Sequence, residues 1–161
     1  MRNTMTVHDA QIRWEHTIEH GGGHCPVCTK WGAVYNEFIN INMLRGFIWM
    51  ASFPDDQWIH LPTQSPPEVL RFKRLTMLRF WALVETRAGQ VNQKTGKIYK
   101  TGWWRVSQLG REWIDGGKKI PYPGHSYKGE IISYGEETRT FSEMKDNAEH
   151  FDLQKTMGLP V

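Results

Sequence analysis

Apolar positions along this chain recur with a helical period in some stretches and alternate in short runs in others, a mixture that predicts an α+β fold. Val34, Tyr35, Phe38, Ile41, Leu44, Phe47, Ile48 and Ala51 follow a three-and-four spacing, which places them on one face of a helix from about Ala33 to Ser52. Pro54, followed by two acids, ends it, because proline lacks an amide donor and turns the preceding residue away from helical geometry. Trp58-Ile59-His60-Leu61 predicts a short strand before Pro62. Ser65-Pro66-Pro67-Glu68 then combines a capping hydroxyl, prolines where amides would be orphaned and an acid in the first turn. A second helix is expected over Glu68 to Ala82, with Val69, Phe72, Leu75, Leu78 and either Trp81 or Ala82 as its apolar stripe.

Leu83 to Thr86 reads as a strand and Trp103 to Ser107 as its return, separated by a segment rich in Gly, Asn, Lys and Thr with a turn at Lys94-Thr95-Gly96. Gln108 to Asp115 predicts a short helix closed by Gly116-Gly117, with Leu109 and Trp113 inward. Ser107 can cap that helix, and Gly110 allows it to approach the strands closely. Farther on, prolines and glycines punctuate short runs such as Glu130 to Tyr134, which predicts a β-hairpin, and a last amphipathic helix is expected over Thr140 to Met157. The chain divides into a flexible arm with a Cys-x-x-Cys knuckle at 1–30, a core at 31–116 and a hairpin-plus-helix extension at 117–161.

Composition narrows the function classes. Across 161 residues, Lys and Arg exceed Asp and Glu by 20 − 17 = 3, a balance that permits nucleic acid without demanding it. Eight Trp supply either a dense core or an aromatic contact surface. No apolar run is long enough to span a bilayer and no signal peptide is visible, so a soluble, cytoplasmic protein with no membrane partner is expected. Phosphate loops, Gly-x-Ser-x-Gly and His-Glu-x-x-His are all missing from the sequence, which argues against an enzyme.

Chemistry concentrates at Cys25-Pro26-Val27-Cys28, the only cysteines in the chain. Two thiolates at this spacing can share one tetrahedral zinc ion, and the proline stiffens the turn. The ion needs two more ligands; His60 is the first candidate and His24 the next, with His20 behind it. A pair of reduced thiols without metal is the competing reading.

Leu75-Thr-Met-Leu78-Arg-Phe-Trp81-Ala-Leu83-Val84-Glu85, then Gly102-Trp-Trp104-Arg105-Val106-Ser107-Gln-Leu-Gly110, resembles the recognition-helix, wing and closing-helix pattern of winged helix-turn-helix regulators of the multiple-antibiotic-resistance and phenolic-acid types. Ala82 stands where those families have Gly, and Ser107 where they have Thr. With Cys-Pro-x-Cys and the strand His before a Pro, the arrangement is more similar still to a family of uncharacterised phage and prophage proteins. The resemblance implies a winged helix with double-stranded DNA as partner, and, because such repressors usually pair on half-sites, it leaves a homodimer open.

In that geometry Arg71, Lys73, Arg74 and Arg79 on the helix would face base edges or phosphates, and Arg87, Lys94, Lys97 and Lys100 on the wing would reach the backbone. A solvated basic face is the plain alternative. A second functional class also fits: a protein-interaction module that inhibits a host or defence complex without touching DNA, since a fold does not fix a function.

Overall fold

The structure, a computed structural model, describes residues 5–70, 74–89, 91, 93–96 and 100–146. It is an α+β protein, and among the described residues the strands form three small antiparallel sheets, one of two strands and two of three. Two compact units are distinguished, one from Met1–Phe38 and Tyr122–Glu136, the other from Ile39–Pro121 and Glu137–Val161. Among the described residues no helix is long and apolar enough to cross a membrane.

In the first unit, the segment expected to be a flexible arm instead holds helix α1, Val7–Glu19. The reason is local. Thr6 and Asp9 form a reciprocal capping box that satisfies amides otherwise orphaned at the helix start. α1 lies on a hairpin of β1 (Gly23–His24) and β2 (Trp31–Gly32), paired Gly23↔Gly32 and His24↔Trp31. A side chain at Gly32 would meet Trp14 of α1, so glycine sets the close approach. The helix expected to start near Ala33 is shorter, because Tyr35–Glu37 is strand β3, pairing with β7 (Ile120–Tyr127). There the Ser126 hydroxyl donates to buried Glu37 at 2.7 Å. β7 and β8 (Glu130–Arg139) make the expected hairpin through Lys128-Gly129, both at positive φ, as a two-residue turn of this hand requires.

The second unit opens with helix α2, Ile41–Ala51, whose first turn is capped by the Asn40 side chain accepting from Met43 N–H. Strand β4 (Ile59–His60) and the short helices α3 (Leu61–Gln64) and α4 (Pro67–Leu70) follow. Ser65 ends α3 and does not cap the next helix; its buried Oγ has no hydrogen-bond partner. The expected helix over 68–82 is α4 and then a 3₁₀ helix, Leu75–Trp81, with 71–73 outside the described residues. A strict three-residue stripe suits a turn of three residues, and Leu75, Leu78 and Trp81 are all buried. Ala82 stops this helix in the left-handed conformation, φ +55°.

β5 (Val84–Thr86) and β6 (Trp103–Val106) pair in the register Val84↔Val106, and β6 also pairs with β4, Ile59↔Trp104, which makes β6 the central strand. Ser107 caps α5, Gln108–Gly116, and Gly117 closes it at positive φ, both as expected. Arg111 of α5 reaches back to donate to the Ala51 and Phe53 carbonyls at 2.6 and 2.9 Å, satisfying acceptors at the end of α2. Fully buried Trp113 packs on Phe47 and on Phe141 of α6 (Phe141–Asp146), and its indole N–H donates to Arg139 O. The rest of the helix expected to 157 lies outside the described residues.

At the junction of ribbon and helix, a Cβ on Gly110 would overlap the Leu83 carbonyl oxygen and sit 2.8 Å from Val106 Cγ1. Gly110→Ala is therefore expected to lose about 1–3 kcal/mol by overpacking, although alanine is the better helix former. Gly116→Ala, with open space around it, is expected to be neutral or stabilising, and Ala82→Gly to gain up to about 1 kcal/mol by relieving a left-handed L-residue. Urea unfolding followed by Trp fluorescence checks all three; a Gly110→Ala protein as stable as the parent contradicts this packing.

Candidate functional site

Two places carry the residues singled out by the sequence, one in each unit. In the second unit the 3₁₀ helix and the β5-β6 ribbon present basic side chains. Arg74 immediately precedes the 3₁₀ helix and is exposed. Exposed Arg79 lies within it, its guanidinium 4.9 Å from the centre of the Phe80 ring. Four apolar side chains of this element, Leu75, Leu78, Phe80 and Trp81, are buried, whereas these two arginines are exposed.

Exposed Arg87 extends the ribbon past β5: its N–H donates to Trp103 O at 3.0 Å, and its carbonyl accepts from the Thr101 hydroxyl at 3.1 Å. Lys100 is next to Thr101 and exposed, so the pairing brings Arg87 and Lys100 to the same end of the two strands. Lys94 is exposed in the turn at 93–95. Arg71, Lys73 and Lys97 lie outside the described residues.

Arg105 is a ribbon cation with partners inside its own unit. It is 29% exposed, bonds to Glu85 at 2.5 Å, pairs with Asp56 at 3.5 Å and stacks over Trp58. A guanidinium held on one side by carboxylates and on another by an aromatic face braces the ribbon.

The Cys-x-x-Cys sits at the tip of the β1-β2 hairpin. Cys25 N–H donates to Lys30 O at 2.8 Å, Thr29 N–H donates back to Cys25 O at 2.9 Å, and Thr29 takes a left-handed φ of +59°. The turn brings the backbone amides of Cys28 and Val27 beside the Cys25 thiol. Those amides, that of Cys28 foremost, hold the Cys25 thiol below its ordinary pKa, and the Lys128 ammonium adds to the effect. Cys28 is exposed, and both thiols are free of disulfide.

The two histidines proposed as further ligands sit in different units. His24 directs Nδ1 at Thr29 O, 2.8 Å away, and because a carbonyl only accepts, that nitrogen carries the proton. His60 belongs to the other unit, with Nδ1 2.7 Å from Thr63 Oγ1, its N–H donating to Gln64 Oε1, and its ring 5.0 Å from that of Trp103. Among the described residues no three His, Cys, Asp or Glu side chains gather closely enough to hold an ion. Lys128, about a hundred residues from Cys25 in sequence, escapes sequence reasoning because only the β7-β8 turn brings it near.

Set against protein-family models, curated proteins and solved structures, the chain matches none of them.

In reduced, metal-free protein, alkylation of Cys25 followed by fragment-ion mass spectrometry is expected to reach half-maximum below about pH 8.5, the ordinary free-thiol value. A lowered pKa means thiolate, the reactive form, persists at lower pH. A midpoint at or above that value contradicts the lowered thiol pKa.

Proposed function

We propose that this chain is a phage-type winged-helix DNA-binding regulatory protein of the cell interior, carrying a structural zinc ion at Cys25 and Cys28. The observation that carries the reading is the order α2, β4, α3 with α4, 3₁₀ helix, β5, β6, combined with the sheet order β4-β6-β5. A winged helix-turn-helix has that succession: helix, strand, two helices, then a ribbon whose second strand pairs with both others. In such a domain the element before the ribbon enters the major groove and the ribbon flanks it on phosphates.

Arg74 and Arg79 would then approach the groove, with Arg71 and Lys73 beside them in sequence, while Arg87, Lys94, Lys97 and Lys100 would neutralise phosphates and release counterions. The distribution of Trp supports the same reading. Trp49, Trp81 and Trp113 are core residues, Trp58 is covered by Arg105, Trp103 lies against His60, and of the eight only Trp31 is exposed.

A second reading, a protein-interaction module acting on a host or defence complex, draws on a different observation. In the first unit Tyr35, Phe38, Ile132 and Tyr134 are exposed apolar side chains, the residue types that anchor protein contacts. Under that reading Tyr35→Ala with Phe38→Ala would abolish activity and reversal of the basic residues would not.

Fluorescence polarisation with a labelled duplex is expected to show binding that weakens steeply as salt rises. Arg74→Glu combined with Lys97→Glu should reduce affinity at least about tenfold and flatten the salt slope. No binding even at low salt would remove the DNA reading.

A further inference from the structure

From the element before the ribbon and the charge pattern of the ribbon itself, we infer that the partner is duplex DNA of any base sequence, gripped through its phosphates and not read in its major groove. The inference rests on the DNA reading above and names the class of duplex it takes. Three observations on the second unit carry it.

The first is the surface of the 3₁₀ helix. Sequence is read in the major groove by about three or four side chains that project from one face of a helix to base edges. Of the seven residues of Leu75–Trp81, four are buried, Thr76 and Met77 are half-buried, and Arg79 is exposed. With three residues per turn, Leu75, Leu78 and Trp81 fall on one row and Phe80 takes a second to the core, which leaves solvent the row of Thr76 and Arg79. Arg79 itself lies back along the element, over the Phe80 ring. One threonine and one arginine make a phosphate contact and not a reading face.

The second is the base of the ribbon. There Glu85 stands opposite Arg105 in the strand register, and Asp56 lies on Arg105 as well, with its own side chain almost fully exposed. Arginine is the side chain that most often reads guanine, and this one is committed to carboxylates of its own unit. Those carboxylates also repel phosphates and keep a duplex from settling on the ribbon's base.

The third is where the remaining cations stand. The bonds of Arg87 to Trp103 and Thr101 bring Arg87 and Lys100 to the far end of the strands, and Lys94 is exposed in the turn between them. A lysine ammonium is a point charge that suits a phosphate without fixing its geometry. Cations at the end of a ribbon whose base is acidic match a backbone that repeats identically whatever the bases are.

The test uses the full chain in fluorescence polarisation against two labelled duplexes of equal length and unrelated sequence, one rich in A·T and one in G·C pairs, and in rounds of selection from a randomised duplex pool. The two affinities should agree within about fivefold at each salt concentration, with equal salt slopes, and the selected pool should hold no common motif. Lys94→Ala should weaken both duplexes by the same factor and lower each salt slope by about one. Arg79→Ala should leave the ratio of the two affinities unchanged.

A motif in the selected pool, or affinities that differ by more than about fivefold at one salt concentration, would overturn the sequence-independent grip and leave DNA binding standing, since a base reader loses that much or more for a single wrong pair. A ratio that Arg79→Ala alters would overturn it too, by revealing a base contact. No binding to either duplex at low salt would remove the DNA reading itself and this inference with it.

Discussion

The arrangement of the second unit depends on how closely α5 meets the strands before it. Ser107 does three things at that point: its N–H donates to Leu83 O, its hydroxyl donates to Ala82 O at 2.5 Å, and the same oxygen accepts from Gly110 N–H at 2.9 Å. One side chain thereby caps a helix, ties down the left-handed residue ending the 3₁₀ helix, and joins β6 to the start of β5. Gly110 is what lets the joint close, because any side chain there would collide with the Leu83 carbonyl. With β6 fixed between β4 and β5, the basic residues of the ribbon are held on a frame of backbone hydrogen bonds.

That joint also governs where charge is displayed. Burial of Leu75, Leu78, Phe80 and Trp81 against the core commits the other side of the 3₁₀ helix, with Arg74 and Arg79, to solvent. Pairing of Arg87 with Trp103 and Thr101 commits Arg87 and Lys100 to the ribbon end. The proposed DNA contact thus follows from which groups the core cannot accept. Arg105, by contrast, is held by Glu85, Asp56 and Trp58 and stabilises the ribbon from within.

Much of this unit is legible in the sequence. Val84, Val106 and the flanking aromatics alternate as paired strands do, Ser107-x-x-Gly110 reads as a cap followed by a close approach, and Gly117 ends α5 as a left-handed glycine should. The resemblance to winged-helix regulators has Gly at the position of Ala82, where the structure finds a positive φ. Other features are hidden for identifiable reasons. The spacing of Val34, Tyr35 and Phe38 fits a helix face, yet pairing with Ser126 to Gly124, remote in sequence, draws Tyr35–Glu37 into a sheet, and the Asn40 cap starts α2 late. α1 is so polar that its stripe of Ala10, Trp14 and Ile18 is thin, although Thr6 and Asp9 announce its start. A CxxC displays two ligands and not their partners, so sequence alone leaves the remaining donors open, whereas the contacts of His60 with Thr63 and Trp103 are seen only in the structure.

The central claim is that the 3₁₀ helix and the β5-β6 ribbon are one nucleic-acid-facing surface. Backbone amide NMR during titration with a duplex tests it most directly. The account predicts that shifts concentrate at 74–82, 84–87 and 100–106 while Tyr35, Phe38 and Ile132 stay still. Shifts confined to those three and their neighbours, with the ribbon unmoved, would contradict it.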